Sequence, residues 1–305
     1  MCFVDLEKAY DRVPRGVLWG VLREYGVPGS LLRAIRSLYS RSESCVRILG
    51  TKSSSFPVSV GLRQGCTLSP ILFLIFMDRI SRRSRGEEGV QYGGLRIASL
   101  LFVDDVVLLA SSNCDLQHAL GQFAAECEAV GMRISTSKSE AMVLCRKKVA
   151  CPLRVGTEFL PQVEEFKYLG VLFTSEGKME REIDRRIGAA AAVMRSLYRT
   201  VVVKKELSQK ARLSIYQSIF VPTLTYGHEL WVVTERMRSR IQAAEMSFLR
   251  RVAGRTLRDR VRSSDTQEEL GVEPLLLHIE RSQLRWFRDL VRMPPGHLPV
   301  EVSWA

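Results

Sequence analysis

The chain has 305 residues, 46% of them apolar; that is enough to bury a core as two domains or one elongated enzyme module, and it excludes a disordered tail. A formal net charge of +12 and a pI near 9.6 point to a polyanionic partner such as nucleic acid. The longest apolar run, residues 71–77, is too short to cross a bilayer, so no membrane partner is expected. Seven cysteines with no CxxC pair read as reduced, buried thiols of an intracellular protein, in nucleus or cytoplasm.

In chain order, Cys2-Phe3-Val4 is an apolar strand running straight into Asp5, with no lead-in, as expected of a chain cut off inside a longer fold. Pro14 suits the first turn of a helix through Tyr25, with Val17, Leu18, Val21 and Leu22 on one face and Gly26 and Pro28 as stops. A second helix begins at Ser30 and carries Leu31, Ile35, Leu38 and Tyr39. Residues 44–50 and 56–62 read as two strands joined by a polar turn at Thr51-Lys52-Ser53-Ser54-Ser55. Ser69-Pro70 opens a helix that is apolar nearly all round and should be central.

Ser99 to Ala110 is predicted as a buried hairpin bent at Asp104-Asp105. The helix from Asp115 turns Leu116, Leu120, Phe123 and Cys127 inward and ends at Gly131. Residues 132–134, 141–144 and 166–173 read as strands. Beyond Met179 the apolar period becomes helical, with helices at about 178–200, 207–220, 234–253 and 274–292. The expected architecture is α+β, a strand-bearing domain over 1–177 followed by an all-α domain over 178–305. The second part holds 23 Lys and Arg against 15 Asp and Glu, so +8 of the +12 lies there.

Three segments set polar groups in apolar frames: Phe3-Val4-Asp5 at a strand end, Gly61-Leu62-Arg63-Gln64-Gly65 before a helix, and Phe102-Val103-Asp104-Asp105 at a bend. Carboxylates in such frames need compensation. A divalent cation is the economical answer, since Mg²⁺ takes oxygen ligands from adjacent strands and completes its octahedron with water and phosphate oxygens. Two such ions activate a 3′-hydroxyl and stabilise a leaving pyrophosphate. Taken singly, Asp104-Asp105 also suits a solvated turn, and Asp5 an exposed strand end; it is their order along the chain that separates the readings.

That order resembles the reverse transcriptases of non-LTR (LINE-type) retrotransposons. Phe3-Val4-Asp5-Leu6-Glu7-Lys8-Ala9-Tyr10-Asp11 is similar to motif A, the Gly61 to Pro70 segment to motif B, and Phe102-Val103-Asp104-Asp105 to motif C. Gly131 to Lys138 resembles motif D, and Phe166-Lys167-Tyr168-Leu169-Gly170 motif E, where the family grips the primer terminus. Tyr226 to Trp231 and Gln283 to Phe287 resemble thumb and downstream segments of such elements.

The resemblance implies a polymerase palm with partial fingers over 1–177, an antiparallel sheet backed by helices, and a basic helical thumb-like domain over 178–305. It implies RNA-directed DNA polymerase activity, with Asp5, Asp104 and Asp105 holding two Mg²⁺ (Mn²⁺ as a substitute) and Tyr10, Gln64 and Gly65 placing the dNTP. Lys138 would be the general acid for pyrophosphate, and RNA template, DNA primer or RNA–DNA hybrid and dNTPs the partners. Tyr10 suits core packing equally well. Arg250, Arg251, Arg255 and Arg258 open the densest basic run, suited to phosphate contacts, while Leu284, Trp286, Phe287 and Leu290 read as core. The family's fingers segment ahead of motif A is expected to be missing, which leaves a second reading: a truncated, catalytically inert, element-derived nucleic-acid-binding protein.

Overall fold

The computed structural model describes residues 1–145, 149–197 and 208–304, which fall into two compact units, Met1–Glu164 and Glu165–Trp304. The first is built on four antiparallel strands, β1 Cys2–Val4, β2 Ser99–Phe102, β3 Asp105–Leu108 and β4 Glu140–Ala141, in the order β4-β1-β3-β2. Flanked on both edges, β1 buries all three of its residues, which is why it carries no alternation. Its register against β3 pairs Cys2 with Leu108, Phe3 with Val107 and Val4 with Val106.

Helices α1 Arg15–Glu24, α2 Gly29–Ser40, α3 Ser69–Arg83 and α4 Asn113–Ala129 share one core with this sheet. Helix α3 lies against α1 and α4 and buries Leu72, Phe73, Phe76, Met77 and Ile80. Each fully buried phenylalanine there contributes about 2–3 kcal/mol over leaving it exposed. Ile71 and Leu74 of the same helix stay more than half exposed, so its all-round apolarity is only half used. Helix α2 likewise buries Leu32, Ile35 and Tyr39 but leaves Leu31 and Leu38 to solvent. Helix α4 starts at Asn113, two residues ahead of the expected Asp115, because the Ser112 side chain accepts from the Asp115 N–H and caps the turn there.

Several expectations change in this unit. In place of long strands at 44–50 and 56–62 there are two short pairs, Glu43–Ser44 with Phe56–Pro57 and Arg47–Ile48 with Thr51–Lys52. The bend falls at Leu49-Gly50, both at positive φ, so Thr51-Lys52 is strand rather than turn. Of residues 132–134, only Ile134 pairs, through a single bridge to Leu6, and of residues 141–144 only Ala141 is strand, within Glu140–Ala141.

In the second unit the expected strand at 166–173 is a hairpin, β5 Glu165–Tyr168 and β6 Val171–Thr174. It folds at Leu169 (φ 48°) and Gly170 (φ 83°), the paired positive φ of a type I′ turn. Strand β6 packs on helix α5 Glu180–Leu197, so this segment joins the helical unit, and the compact units divide after Glu164 rather than after 177. Positions 198–200 of the expected 178–200 helix, and position 207 of the next, lie outside the described residues.

Next come α6 Gln209–Ile215, a π turn at Tyr216–Phe220 and α7 Val221–Thr225. Pro222 has no N–H to return to the preceding turn, and the helix widens just ahead of it. Helices α8 Glu235–Val252, α9 Ser263–Leu270 and α10 Leu275–Val291 follow. Tyr216, Phe220 and Phe248 form the aromatic centre of this core, with centroids 5.0–5.6 Å apart.

On α10 the expectation fails: Leu290 is buried, but Leu284, Trp286 and Phe287 are exposed, because the helix turns Leu275, Ile279 and Leu290 to the core instead. Among the described residues no helix is long and apolar enough to cross a membrane. All seven cysteines are unpaired, yet only Cys2, Cys127 and Cys151 are buried; Cys45, Cys114 and Cys145 are exposed and Cys66 half-buried.

Candidate active site

Seven of the expected site residues lie in the first unit. Asp5 directly follows β1, and continuing the β1–β3 register by one step sets it opposite Asp105, the first residue of β3. The β2–β3 ladder closes with Phe102 opposite Asp105, so the bend is Val103-Asp104 and not the expected Asp104-Asp105, Asp105 being already paired as the first residue of β3. Val103 takes φ 57°, a conformation that a β-branched residue rarely adopts and that costs about 1–2 kcal/mol. Its packing against the core holds it there and keeps the two acids adjacent.

The electrostatics follow from that crowding. Burial, and then the charges of Asp104 and Asp5, push the Asp105 carboxyl above its ordinary range. Oδ1 of Asp5 is buried without a hydrogen-bond partner, and Lys138 Nζ stands 3.8 Å from it. Lys138 is brought there by a segment stitched alongside Asp5: Glu7 N–H donates to the Arg133 carbonyl, Ser135 N–H to the Asp5 carbonyl, and Asp5 N–H to Ser139 Oγ at 3.0 Å. Fully buried Ser139 escaped the sequence reading, since nothing marks one serine among several.

Among the described residues, no three His, Cys, Asp or Glu side chains converge as a ready metal cage. What is present is Asp5 set opposite Asp105 by strand register, Asp104 beside them at the bend, and a buried Asp5 oxygen that accepts no hydrogen bond and has Lys138 as its cationic neighbour. That donor set fits a hard divalent cation whose remaining ligands are water or phosphate oxygens.

Beside the acids opens a cleft of about 580 Å³, lined in part by Lys8, Tyr10, Asp11, Gln64, Gly65 and Asp104. The Tyr10 ring stacks on Phe73 with centroids 4.6 Å apart and planes 17° from parallel, so it both packs on the core and floors the cleft. Gln64 Nε2 donates to Asp11 Oδ1 at 3.0 Å, giving Asp11 a part that sequence alone did not assign. Cys66 also lines the cleft, its thiol held below the ordinary value first by the Leu68 N–H.

The Gly61 to Gly65 loop is fastened to the Tyr10–Val13 segment through Gly61 N–H to the Val13 carbonyl and Leu62 N–H to the Tyr10 carbonyl. Arg15 secures it further, donating to the carbonyls of Gly61 (2.9 Å) and Val58 (2.6 Å). At Gly61 (φ 81°) a Cβ would lie 2.6 Å from the Asp11 carbonyl oxygen, whereas at Gly65 (φ 80°) it would meet open space. Gly61 is therefore a close-approach glycine, and Gly65 a conformational one facing the cleft.

The four arginines belong to the second unit. Arg250 and Arg251 sit in the last turn of α8, and exposed Arg258 lies on a short 3₁₀ turn, Leu257–Asp259. Arg255 is engaged in an ion pair with Glu269.

Residues 1–173 match the reverse transcriptase (RNA-dependent DNA polymerase) family, and the chain belongs to that family. Its relatives are polyproteins and polymerases of non-LTR retrotransposons, and the chain is a reverse transcriptase sequence of that kind. It is 28% identical over 236 residues to the Pol polyprotein of the type-2 retrotransposable element R2DM of Drosophila melanogaster, covering 73% of this chain and 22% of the relative. To the Pol polyprotein of a type-1 element R2 of Nasonia vitripennis it is 30% identical over 195 residues, 60% of this chain and 19% of the relative. To the RNA-directed DNA polymerase of the mobile element jockey of Drosophila melanogaster it is 25% identical over 282 residues, 90% of this chain and 30% of the relative. The chain thus spans between about a fifth and a third of these relatives' length.

Proposed function

We propose that the chain carries out RNA-directed DNA synthesis, its first unit acting as a polymerase palm with partial fingers and its second as a thumb-like holder of the template–primer hybrid. The observation that carries this reading is the acid cluster: Asp5 facing Asp105 across two strands, Asp104 at the bend, and a buried Asp5 oxygen with no hydrogen bond, beside a cleft within the usual range of ligand sites. Asp5, Asp104 and Asp105 would hold Mg²⁺, with Mn²⁺ as a substitute, which when bound neutralises phosphate charge and acidifies the primer 3′-hydroxyl.

The chain's own residues supply the rest. The Tyr10 ring, braced by Phe73, supports the deoxyribose and leaves no room for a 2′-hydroxyl. Gln64, released from Asp11, can hydrogen-bond the nucleotide, and Gly65 lets it approach the backbone. Lys138 donates its Nζ proton to the departing pyrophosphate. Arg250, Arg251 and Arg258 contact phosphates of the hybrid without reading sequence.

The test is Mg²⁺-dependent extension of a DNA primer on an RNA template, with an Asp104→Asn/Asp105→Asn double variant alongside. Extension by the chain that the variant lacks supports the reading. No extension by either, with equal salt-sensitive hybrid binding by both, replaces it with a catalytically inert nucleic-acid-binding chain. In Tyr10→Ala the preference for dNTPs over rNTPs should fall; an unchanged ratio overturns the gating role.

A further inference from the structure

Between helix α2 and the loop at residues 61–65 the first unit sends out an exposed arm. Its two strand pairs, Glu43–Ser44 with Phe56–Pro57 and Arg47–Ile48 with Thr51–Lys52, leave every residue from 43 to 57 exposed. The Val58 N–H closes the base by donating to the Ser42 carbonyl at 2.8 Å. Arg15 holds the carbonyls of both Val58 and Gly61, so the arm is rooted at the loop that borders the cleft.

Three features of this arm work against its own stability. Its turn has the paired positive φ of type I′, which favours Asn-Gly, yet the first turn residue is Leu49 (φ 47°), a side chain that the left-handed region disfavours. Leu49 is fully exposed and Ile48 is 66% exposed, with Val46 and Phe56 about half exposed behind them, so the tip is apolar where water surrounds it. Arg47 stands directly opposite Lys52, a like-charge pair that weakens a two-stranded ladder, and neither makes an ion pair among the described residues. A connection that only had to turn would need none of these.

The three features share one complement, a partner that is anionic at its surface and apolar beneath it. Base-paired nucleic acid is built that way, with phosphates outside and stacked bases within. An apolar side chain pushed between base steps unstacks them while neighbouring cations hold the backbone. An apolar protein surface would cover Leu49 but leave Arg47 and Lys52 desolvated without partners.

We propose that the arm tip, residues 46–53, is a wedge that opens base-paired nucleic acid: Leu49 enters the stack, and Arg47 and Lys52 hold the adjacent phosphates. The inference rests on the reverse transcriptase reading, under which a folded RNA must be single-stranded where it is copied, and adds to it a strand-opening activity that the cleft residues do not supply.

The experiment uses a forked RNA duplex with 2-aminopurine, which fluoresces when unstacked, at its first base pair. Binding and fluorescence are measured for wild type, Leu49→Asn and Lys52→Glu, with thermal melts and binding to a primer–template hybrid in parallel. Both variants improve the arm by local rules, since Asn-Gly is the favoured type I′ pair and a glutamate opposite Arg47 is attractive, so both should melt no lower than wild type. Wild type should bind the fork with salt-sensitive affinity and raise its fluorescence. Leu49→Asn should bind within about twofold of wild type, because burying one leucine roughly offsets the unstacking it causes, yet lose most of the rise. Lys52→Glu should bind more weakly and lower the slope of log Kd against log salt concentration by about one. A Leu49→Asn protein that raises fluorescence as wild type does, or a wild type that binds the hybrid but leaves the fork stacked, overturns the wedge alone. A wild type that binds neither fork nor hybrid in a salt-sensitive manner overturns the reverse transcriptase reading and this inference with it.

Discussion

The two units treat their carboxylates in opposite ways. In the second, Glu182 and Glu245 are buried and supplied with donors: Glu245 accepts from the Tyr216 hydroxyl (3.0 Å), Gln267 Nε2 (3.1 Å) and the Leu275 N–H (3.0 Å). In the first, Asp5, Asp104 and Asp105 crowd together, with an Asp5 oxygen that accepts no hydrogen bond and has Lys138 Nζ 3.8 Å away, and with a raised Asp105 pKa. Acids that a fold needs for itself are satisfied by the fold. Acids left competing with one another, with Lys138 as a neighbouring cation, are the candidates for binding a metal, and the proposed function rests on that contrast.

The contrast breaks most sharply at Asp5. Asp5→Asn should reduce primer extension about 1000-fold, the several kcal/mol expected when a site for phosphate-neutralising metal is lost, while leaving the melting temperature unchanged or higher. The site can also be read without activity. Millimolar Mg²⁺ should raise the melting temperature of wild type by mass action and should not raise that of Asp5→Asn; an equal rise in both would place the ion elsewhere.

Glu245→Ala should do the reverse, costing about 3 kcal/mol of stability because three buried donors lose their acceptor. Glu245→Gln should cost less, and its pH dependence is diagnostic. Burial raises the Glu245 pKa above its ordinary 4.5 despite its donors. Its contribution is therefore fully present below that ordinary value and is lost as pH rises through the folded-state value. Glu182 has the opposite sign: burial alone would raise its pKa, but the Arg185, Arg186 and Leu172 donors hold it low, so its contribution is present above 4.5 and lost on acidification. Denaturant unfolding of Glu245→Gln across this range should show the alkaline loss removed.

Next in size are the two loop glycines. Gly61→Ala combines a strained φ with a 2.6 Å approach to backbone and should cost roughly 3 kcal/mol. Gly65→Ala, with the same φ and open space, should cost only about 1 kcal/mol and appear instead as a raised KM for dNTP. Equal destabilisation of both would mean that Gly61 is not pressed against the Asp11 carbonyl.

These cases also mark what was legible in the sequence. The strand and the hairpin that carry the acids were, because a local pattern suffices: an apolar strand ending at Asp5 and an apolar hairpin, although its bend falls at Val103-Asp104 and not at Asp104-Asp105. Helices α1 and α3 were, because Pro14 and Ser69-Pro70 announce their starts, and α4 was to within two residues of its first turn. Tertiary partnerships were not. Phe73 under Tyr10 and Ser139 on Asp5 each join positions far apart in the chain, and neither stands out from its neighbours in composition. The Leu169-Gly170 turn was missed because its flanks read as one apolar run, and Trp286-Phe287 was placed in the core because helical spacing alone does not say which of two apolar faces is covered.

The smallest effect separates arginines that composition treats alike. Arg258 is exposed and carries no ion pair among the described residues, so Arg258→Ala should weaken hybrid binding a few-fold and lower the slope of log Kd against log salt concentration by about one, the signature of one lost phosphate contact. Arg255 is held by Glu269. Arg255→Ala should leave that slope unchanged and remove at most about 1 kcal/mol of stability, as surface pairs do. If both variants shift the slope equally, the Arg255–Glu269 pair opens on binding and the whole run acts as one phosphate-binding strip. If neither does, the hybrid is held by other cations of the second unit, and a dense basic run is only a solvated face.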